Sequence, residues 1–270
     1  ATAERAPLEV HLKVDSGMGR IGLQDDAGPA LRGLLGQRPP GLAVRGVFSH
    51  FADAERLGSD FCEVQLAAYE RWCALVREAL GGRPFERHLA NSAGLLRSPR
   101  FHFDFARVGF ALWAPLRFDP PGQAPALNAE LESVLTVRTR VSFVKTMHAG
   151  DTVGYGRAYR CQEGEVIATL PFGHGDGYFR NVGGRGAVLL GGQRRPIAGT
   201  VSMDQTLVSL GRDPCAVGDE AVLLGGSGPD RITVAELGAW AGTIDYEVFT
   251  HLGARVPRQY VYDGQPVPEP

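Results

Sequence analysis

The sequence predicts an α/β part followed by a mainly β part, with a boundary near residue 115. In the first part, short apolar strands, small polar loops and helical segments alternate, which is the order that forms a parallel sheet. After Pro115 a run rich in proline and glycine, residues 120–125, interrupts this order. Short strands and turns then dominate. We therefore expect two domains, residues 1–115 and 116–270.

The composition excludes several classes of protein. The chain has 270 residues, 44% of them hydrophobic, and a net charge of −2. It can bury a large core, and no basic surplus indicates nucleic acid or a membrane surface as a partner. No apolar run is long enough to cross a bilayer. The four cysteines lack CxxC spacing, so we expect no metal site and no disulfide framework, and a cytoplasmic location.

The first strand and helix follow from alternation and turn residues. Leu8–Val14 alternates apolar and polar side chains, as a strand does. It continues into Asp15–Arg20, a glycine-rich loop at the end of a strand, where α/β folds place functional residues. Residues 25–37 then have a helical pattern, which Pro39–Gly41 is expected to end.

A second strand, Ala43–Ser49, ends at His50 and is followed by a long amphipathic helix closed by Gly81 and Gly82. The residues expected on the buried face of that helix are Val64, Ala68, Trp72, Leu75, Val76 and Ala79.

Two further strands are expected before the boundary. Arg87–Ala90 leads into Asn91–Gly94, small polar residues that can begin a helix and bind an anion through its N–H groups. Phe103–Val108 is expected to be the next strand and to end at Gly109. The repeated order of strand, loop and helix predicts a parallel sheet.

The second part is predicted to consist of strands and one capped helix. The expected strand segments are Leu131–Thr146, Glu165–Leu170, Ala187–Leu190, Ile197–Ser202 and Ala221–Leu224. A helix is expected to begin at Thr233, because Glu236 three residues later completes a capping box.

One stretch of the second part carries a candidate acid–base group. Tyr155 stands between Gly154 and Gly156, just after the turn residues Ala149–Asp151. Glycines let the backbone approach another group closely while the phenol projects. The stretch is either a strand edge with a solvent-facing tyrosine or a buried phenol that moves a proton beside cationic groups.

Eight motifs, taken together and in this order, resemble the alanine racemase family. They are KVDSGMGR at Lys13–Arg20, SHF at Ser49–Phe51, NSA at Asn91–Ala93, RVG at Arg107–Gly109, VGYG at Val153–Gly156, GHGDG at Gly173–Gly177, SMDQ at Ser202–Gln205 and RVPR at Arg255–Arg258.

The resemblance implies the later half of a TIM-type (β/α)8 barrel followed by a mainly β C-terminal domain that carries the catalytic tyrosine. It also implies a cytoplasmic isomerase that uses pyridoxal 5′-phosphate and supplies D-alanine for peptidoglycan. The implied partners are a small amino acid and a second copy of the chain. In such a homodimer each active site is shared across the interface.

The sequence departs from the family in three places. The family's Schiff-base lysine precedes these motifs, whereas this chain contains only Lys13 and Lys145. We therefore expect the N-terminal part of the barrel to be missing, and the chain alone to be inactive. His174 stands where tyrosine is usual, which affects the lining of the substrate entrance, and Trp113–Ala114 stands where Tyr-Gly is common.

The implied chemistry is two-base transfer of the α-proton on a pyridoxal phosphate aldimine. Tyr155 matches one of the two bases. Arg107 would face the pyridine nitrogen and, being always protonated, would leave that nitrogen unprotonated. The alternative for Arg107 is an ion pair with a carboxylate. His50 would bridge Arg107 and the tyrosine, unless it is a structural histidine.

The remaining matches imply binding roles. Ser92, Gly109 and Phe110 would hold the phosphate, although a serine and a glycine here also suit a helix cap and a turn.

The substrate carboxylate would contact Arg20 and the N–H of Met203. Asp204 is either an orienting group or a turn carboxylate. Lys13 matches a lysine that is often carbamylated and positions Arg20; the alternative is an ordinary barrel lysine paired with an acid such as Asp15.

Two other functions remain open from the sequence. The chain could be a non-catalytic remnant of the same fold, which the absent lysine favours and the retained Tyr155, Arg107, His50 and Arg20 oppose. It could also be a racemase for serine or a basic amino acid, with His174 altering substrate entry.

Overall fold

The computed structural model describes residues 7–37 and 41–268, which form two compact units, Ala1–Glu132 and Ser133–Pro270. The domain boundary expected near residue 115 stays a prediction from composition. The expected helix stop at Pro39–Gly41 lies partly outside the described residues.

The first unit contains a parallel sheet, as the alternation of strands and helices predicted. Its strands are β1 (Leu8–Lys13), β2 (Leu42–Phe48) and β3 (Glu86–His88), in the spatial order β1-β2-β3. Its helices are α1 (Gly28–Gly36), α2 (Phe61–Ala79), α3 (Ser92–Arg97) and α4 (Ala126–Ala129). Because the strands are parallel, the segments that follow β1, β2 and β3 leave the sheet at one edge.

The buried face of α2 differs from the expected one. The buried side chains are Cys62, Gln65, Leu66, Tyr69, Trp72, Cys73 and Val76. Val64 is 54% exposed, so its assignment to the core was wrong. Val64 is two positions from Cys62 and therefore about 200° around the helix. The polar Gln65 is buried on this face beside Cys62, Leu66 and Tyr69.

The expected strand over Phe103–Val108 is absent, since these residues form a turn and irregular backbone. Phe103 has a φ of 53°, which breaks an extended conformation. Two separated hydrogen bonds, from the N–H of Asp104 to Arg87 and from the N–H of Arg107 to Ala90, tie the segment to β3 and its continuation. These two bonds hold Arg107 beside β3, although the segment does not pair with β3 as a strand.

A bulge interrupts the pairing of β1 with β2. The register shifts between Val10 and His11, so that His11 pairs with Gly46. A Cβ on Gly46 would lie 2.3 Å from Nδ1 of His11. Glycine at this position therefore leaves the space that the imidazole of His11 fills.

The second unit is mainly β, as predicted. Its strands are β4 (Val137–Arg140), β5 (Phe143–Met147), β6 (Thr152–Val153), β7 (Tyr159–Arg160), β8 (Glu165–Leu170), β9 (Ala187–Leu190), β10 (Gln193–Pro196), β11 (Thr206–Ser209), β12 (Glu220–Ser227), β13 (Asp230–Ile232), β14 (Tyr260–Tyr262) and β15 (Gln265–Val267). They form one sheet in the order β10-β9-β12-β13 with β4 beside β12, a second sheet in the order β11-β8-β5, and the hairpins β6-β7 and β14-β15.

The α-helices described within residues 133–268 are α5 (Val234–Ala241) and α6 (Asp245–His251). The capping box is confirmed: Thr233 Oγ1 accepts from the N–H of Glu236, and the Glu236 carboxylate accepts from the N–H of Thr233. The strand expected over Ile197–Ser202 was wrong. Ile197 makes an isolated bridge to Val208, and a φ of 77° at Gly199 ends the extended conformation.

Within residues 7–37 and 41–268, no helix has the length and apolar character needed to cross a membrane.

Candidate active site

Arg107 lies at the end of the sheet where β2 and β3 terminate. Its guanidinium is surrounded by hydrogen-bond acceptors from the last residue of β3 and from the residues that follow β2. Nη2 donates to the carbonyl of Ser49 at 2.6 Å, and Nη1 donates to the carbonyl of His88 at 3.1 Å. The ring of Phe48 lies 5.2 Å below Cζ. In the described part of the chain Arg107 has no carboxylate partner, so the ion-pair alternative does not hold. Burial lowers the pKa of this guanidinium.

His50 contacts Arg107, as expected. Nη2 of Arg107 lies 3.3 Å from Nδ1 of His50. An arginine can only donate, so Nδ1 accepts and a neutral His50 carries its proton on Nε2. Burial and the charges of Arg107, Arg20 and Lys13 lower the pKa of His50 to about 4. His50 is therefore neutral at pH 7.

Lys13, at the end of β1, lies on the same ring of Phe48, with Nζ 4.8 Å from the ring centroid. Burial, Arg107 and Arg20 lower its pKa, while Asp15 acts in the opposite direction. Arg20 itself is exposed. Three cationic side chains thus influence one region of this unit.

Asp15 organises the glycine-rich loop and does not pair with Lys13. Its Oδ1 accepts from the N–H groups of Gly17 and Met18, each at 2.9 Å, and Oδ2 accepts from Gly19 at 3.0 Å. No ion pair forms between the two side chains, so the Lys13–Asp15 alternative was wrong. A φ of 125° at Gly17 permits the tight path of this loop.

Ser92 and Gly109, which the family resemblance assigns to one phosphate site, are in direct contact. Ser92 Oγ accepts from the N–H of Gly109 at 2.9 Å and from the N–H of Ala111 at 3.2 Å. Phe110, between them in sequence, is buried. Asn91 caps α3 by accepting from the N–H of Gly94. The N–H groups of Gly109 and Ala111 thus converge on one hydroxyl, whose own O–H can donate to a further acceptor.

Buried polar residues that the sequence did not single out hold this region in place. Gln65, fully buried on α2, donates to the carbonyl of His50 at 3.0 Å and accepts from the N–H of Ala52 at 2.9 Å. A polar residue within an apolar helical stripe was the available signal. Arg97, the last residue of α3, donates to the carbonyls of Arg56 and Ser59, both at 2.7 Å. It thereby fastens the loop after β2.

Tyr155 lies in a short 3-10 turn after β6 in the second unit. Its neighbours Gly154 and Gly156 have φ of 73° and 70°, which favour glycine. Its side chain is 70% exposed, so of the two readings of this stretch the solvent-facing tyrosine holds within this chain. A Cβ on Gly154 would lie 3.5 Å from the amide of Thr200, so the tyrosine turn packs against the segment that leads to Met203.

The loop of Met203 and Asp204 is fastened to the glycine-rich loop at 173–177. The N–H of His174 donates to Ser202, and the N–H of Gly175 donates to Met203 at 2.8 Å. A Cβ on Gly173 would lie 2.3 Å from the carbonyl of Ser202. Arg255 crosses the two loops, since it contacts Asp176 and Asp204 at 2.8 and 2.6 Å. Met203 is exposed.

The structure therefore assembles two groups of the predicted residues. The first unit brings together Lys13, His50, Ser92, Arg107, Gly109 and Phe110. Arg20 is exposed, and its charge contributes to the lowered pKa of Lys13 and of His50. In the second unit Met203 and Asp204 share one loop, and the turn that carries Tyr155 packs against the segment that leads to it. No group of three or more histidine, cysteine, aspartate or glutamate side chains among the described residues is arranged to hold a metal ion.

Two family models match the chain. The model for the alanine racemase N-terminal domain matches residues 1–115, and the model for the alanine racemase C-terminal domain matches residues 134–260. Alanine racemase from Symbiobacterium thermophilum is 45% identical over 93% of this chain and 65% of its own length. Alanine racemase from Carboxydothermus hydrogenoformans is 40% identical over 94% of this chain and 68% of its own length.

Solved structures match over a similar extent. Alanine racemase from D-cycloserine producing Streptomyces lavendulae has a TM-score of 0.87 and 38% identity, covering 95% of this chain and 67% of that chain. Alanine racemase from Streptomyces coelicolor A3(2) has a TM-score of 0.88 and 37% identity, covering 96% of this chain and 67% of that chain. The expected fold, an α/β barrel part followed by a β domain, is confirmed.

This chain thus spans about two thirds of the length of the relatives it matches. The relatives described above are all named for alanine, so they do not support a remnant or a racemase for serine or basic amino acids.

Proposed function

The chain belongs to the alanine racemase family, and on that premise we propose that it interconverts L- and D-alanine with pyridoxal 5′-phosphate as cofactor. The observation that carries the proposal is the environment of Arg107. This guanidinium is half-buried, is held by carbonyls and imidazoles, and has no carboxylate partner among the described residues. A buried cation without a counter-ion fits an anionic or electron-rich ligand.

The residues of the first unit fit this cofactor. Ser92, Gly109 and Phe110 would hold its phosphate through a hydroxyl and backbone N–H groups, and Arg107 would face its ring nitrogen. The three nearby cations favour a ligand with a strong negative charge. When bound, the conjugated ring of the cofactor withdraws electrons from the substrate α-carbon and makes its proton acidic.

Arg107 limits how strongly the cofactor withdraws electrons. Because an arginine does not give up its proton near pH 7, it can only donate a hydrogen bond to the ring nitrogen. An unprotonated ring is a weaker electron sink, which disfavours transamination as a side reaction. His50, neutral and fixed by Arg107, would present Nε2–H to a neighbouring group.

Tyr155 would move the proton on one face of the substrate. An ordinary phenol has a pKa near 10, so it needs cationic or donating neighbours to act as a base near pH 7. Its 70% exposure supports a role at an interface. We propose a homodimer in which Tyr155, Met203 and Asp204 of one copy meet the Arg107 region of another.

Arg20 and the N–H of Met203 would bind the substrate carboxylate, with Asp204 orienting the loop. Lys13 would position Arg20 as a carbamate. Carbamylation requires a neutral amine, and burial with neighbouring cations lowers the pKa of Lys13 toward that state. The same cations would stabilise the negative charge that carbamylation creates.

The chain's only lysines are Lys13, assigned above to a carbamate, and Lys145, so the Schiff-base lysine has to be supplied in the test. The direct test is to co-express the chain with a family segment that carries this lysine, to add pyridoxal 5′-phosphate and L-alanine, and to measure D-alanine with D-amino-acid oxidase. Formation of D-alanine, lost in Arg107→Ala and kept in His148→Asn, is the expected result. His148 is exposed, pairs with Glu163 and is not among the proposed site residues. Borohydride reduction and peptide mapping would identify the amine that holds the cofactor. A chain that neither changes the cofactor's visible absorbance nor forms D-alanine would overturn the proposal.

A further inference from the structure

Two histidines without an assigned role, His11 and His88, continue the hydrogen bonds of Arg107 across the sheet. Nη1 of Arg107 lies 2.7 Å from Nδ1 of His88. Nε2 of His88 lies 2.8 Å from Nδ1 of His11. Nε2 of His11 lies 3.9 Å from the carboxylate of Glu86. The series therefore runs from an acidic group to the guanidinium through two imidazoles.

Only one assignment of protons satisfies this series. Arg107 donates, so Nδ1 of His88 must accept and a neutral His88 carries its proton on Nε2. That proton is donated to Nδ1 of His11, so His11 in turn carries its own proton on Nε2, on the side of Glu86. A protonated His88 would place an N–H against the N–H of Arg107 and lose the bond.

We propose that His88, held in its Nε2–H tautomer by His11, is a positioning residue that fixes the orientation of Arg107. The inference rests on the proposed function, because the orientation matters for the face that Arg107 presents to the cofactor ring. It adds to that function the pair His11 and His88 and a defined protonation state for each. His50 accepts a hydrogen bond from Nη2, the other terminal nitrogen of the same guanidinium.

The surroundings of His88 restrict both its ring plane and its charge. The ring is stacked between Phe48, at 5.0 Å and 4°, and Phe105, at 4.2 Å and 22°. His88 is 5% exposed. The charged and titratable groups that face it are Arg107, His11, Lys13 and Asp104. Burial, Arg107 and His11 lower its pKa to about 4, in agreement with a neutral acceptor at pH 7.

The backbone makes room for the second histidine. The bulge between Val10 and His11 brings His11 opposite Gly46, where a Cβ would lie 2.3 Å from Nδ1 of the imidazole. The ring of His11 also meets the ring of His88 edge-on, with centroids 5.0 Å apart. The bulge and the glycine together thus place Nδ1 of His11 within hydrogen-bond distance of Nε2 of His88.

The first test needs no substitution. In the full chain labelled with 15N-histidine, long-range 15N–1H spectra at pH 7 report which nitrogen of each imidazole carries the proton. We expect the Nε2–H tautomer for both His11 and His88. An imidazolium at either position, or an Nδ1–H tautomer for His88, would overturn the proposal whether or not the chain racemises alanine.

The second test separates the two bonds of His88. His88→Asn keeps an acceptor near the position of Nδ1, whereas His88→Gln places its amide near Nε2 and loses the contact to Arg107. We expect separate Nη signals for a held Arg107 guanidinium in the wild type and His88→Asn, and averaged signals in His88→Gln. Averaged signals in the wild type, or equal signals in both variants, would contradict a positioning role.

Activity provides a third readout with its own controls. We expect His88→Gln to lower kcat by up to about 100-fold, the effect of a misplacement of about 1 Å, and His88→Asn to keep most of it. His11→Asn should resemble the wild type and His11→Phe should resemble His88→Gln. Equal losses in the two His88 variants would refute the inference. Expected tautomers and Nη signals without racemisation in any form would refute the proposed function instead.

Discussion

Arg255 donates through Nη2 to Oδ1 of Asp204 at 2.6 Å. The same guanidinium contacts Asp176 through Nε at 2.8 Å. Arg255 therefore joins the loop proposed to bind the substrate carboxylate to the neighbouring loop of residues 173–177. The side chains of Arg255 and Asp204 are 51% and 63% exposed, so the pair orients the loop more than it stabilises the fold.

Replacing Arg255 by glutamine should therefore affect substrate binding more than stability. We expect KM for alanine to rise about tenfold, equivalent to about 1.4 kcal/mol, with a smaller change in kcat and little change in Tm. Steady-state kinetics and thermal unfolding measure these effects. Arg258→Gln is the matched control, because Arg258 donates to the carbonyls of Gly253 and Val256 in the same segment. An unchanged KM in Arg255→Gln would exclude the orienting role.

Tyr155→Phe removes the proposed acid–base group with little change in shape. Racemisation should fall by about 10²- to 10⁴-fold in both directions, since each turnover uses both faces of the substrate. Exchange of solvent deuterium into one enantiomer should continue from the other face. Tyr262→Phe is the control, because Tyr262 is 78% exposed on β14. If both enantiomers of the Tyr155→Phe variant exchange at the wild-type rate, Tyr155 is not the second base.

Arg107→Glu places a carboxylate where the ring nitrogen of the cofactor is proposed to lie. The carboxylate should let that nitrogen become protonated and so strengthen the electron sink. We expect racemisation to fall while transamination, in which the amino group passes to the cofactor, rises. Arg107→Lys keeps a cation and should not raise transamination. The ratio of pyruvate to D-alanine formed measures the change, and a constant ratio in Arg107→Glu would remove Arg107 from the ring nitrogen.

Carbamylation of Lys13 can be observed directly. We expect a 13C signal after addition of labelled bicarbonate, because the lowered pKa of Lys13 increases its neutral fraction. The chain contains only two lysines, so Lys145→Arg is the matched control and should keep the signal, whereas Lys13→Arg should lose it. The absence of a signal in the wild type would leave Lys13 as a cation beside Phe48.

The stability of the first unit should decrease below neutral pH. The pKa values of His50 and His88 are lowered from 6.5 to about 4 by burial and by Arg107. Between these values the unfolded chain binds protons that the folded chain excludes. The free energy of unfolding should therefore fall as pH decreases from about 6.5 to about 4, and His50 and His88 should contribute no further dependence above that window.

Urea unfolding at a series of pH values measures this dependence. His88→Asn should reduce the slope in the window, because one of the two groups is removed. His148→Asn should not reduce it, because the exposed carboxylate of Glu163 raises the pKa of His148 and gives a dependence of opposite sign. A slope in His88→Asn equal to that of the wild type would show that His88 titrates as an ordinary histidine.

The sequence predicted β1, β2, β8 and β9 and parts of β3, β4, β5 and β12, because alternation and turn residues reflect local geometry. It did not predict the short strands β6, β7, β10, β11, β13, β14 and β15. Phe103–Val108 has the same alternation, yet the positive φ of Phe103 and its few bonds to β3 prevent a ladder. Val64 was misplaced because its apolar character was weighed above its angular position on α2.

Within the candidate site, motif order was enough to select Arg107, His50 and Ser92. Motif order could not show that His88 contacts Arg107 and His11 contacts His88. The contact between the two histidines depends on the bulge in β1 and on parallel strands that are far apart in sequence. Gln65 was missed for a similar reason, since its partners belong to another element.

Arg97 links the loop of residues 56–59 to α3, so we expect these two segments to open together. Its guanidinium holds carbonyls on both sides of the turn after β2, and its backbone ends α3, the helix that begins at Ser92. Separation of the loop from the helix would break those bonds together. The amides of residues 56–59 and of α3 should therefore exchange with solvent as one cooperative unit, so that the proposed phosphate site opens as a whole or not at all.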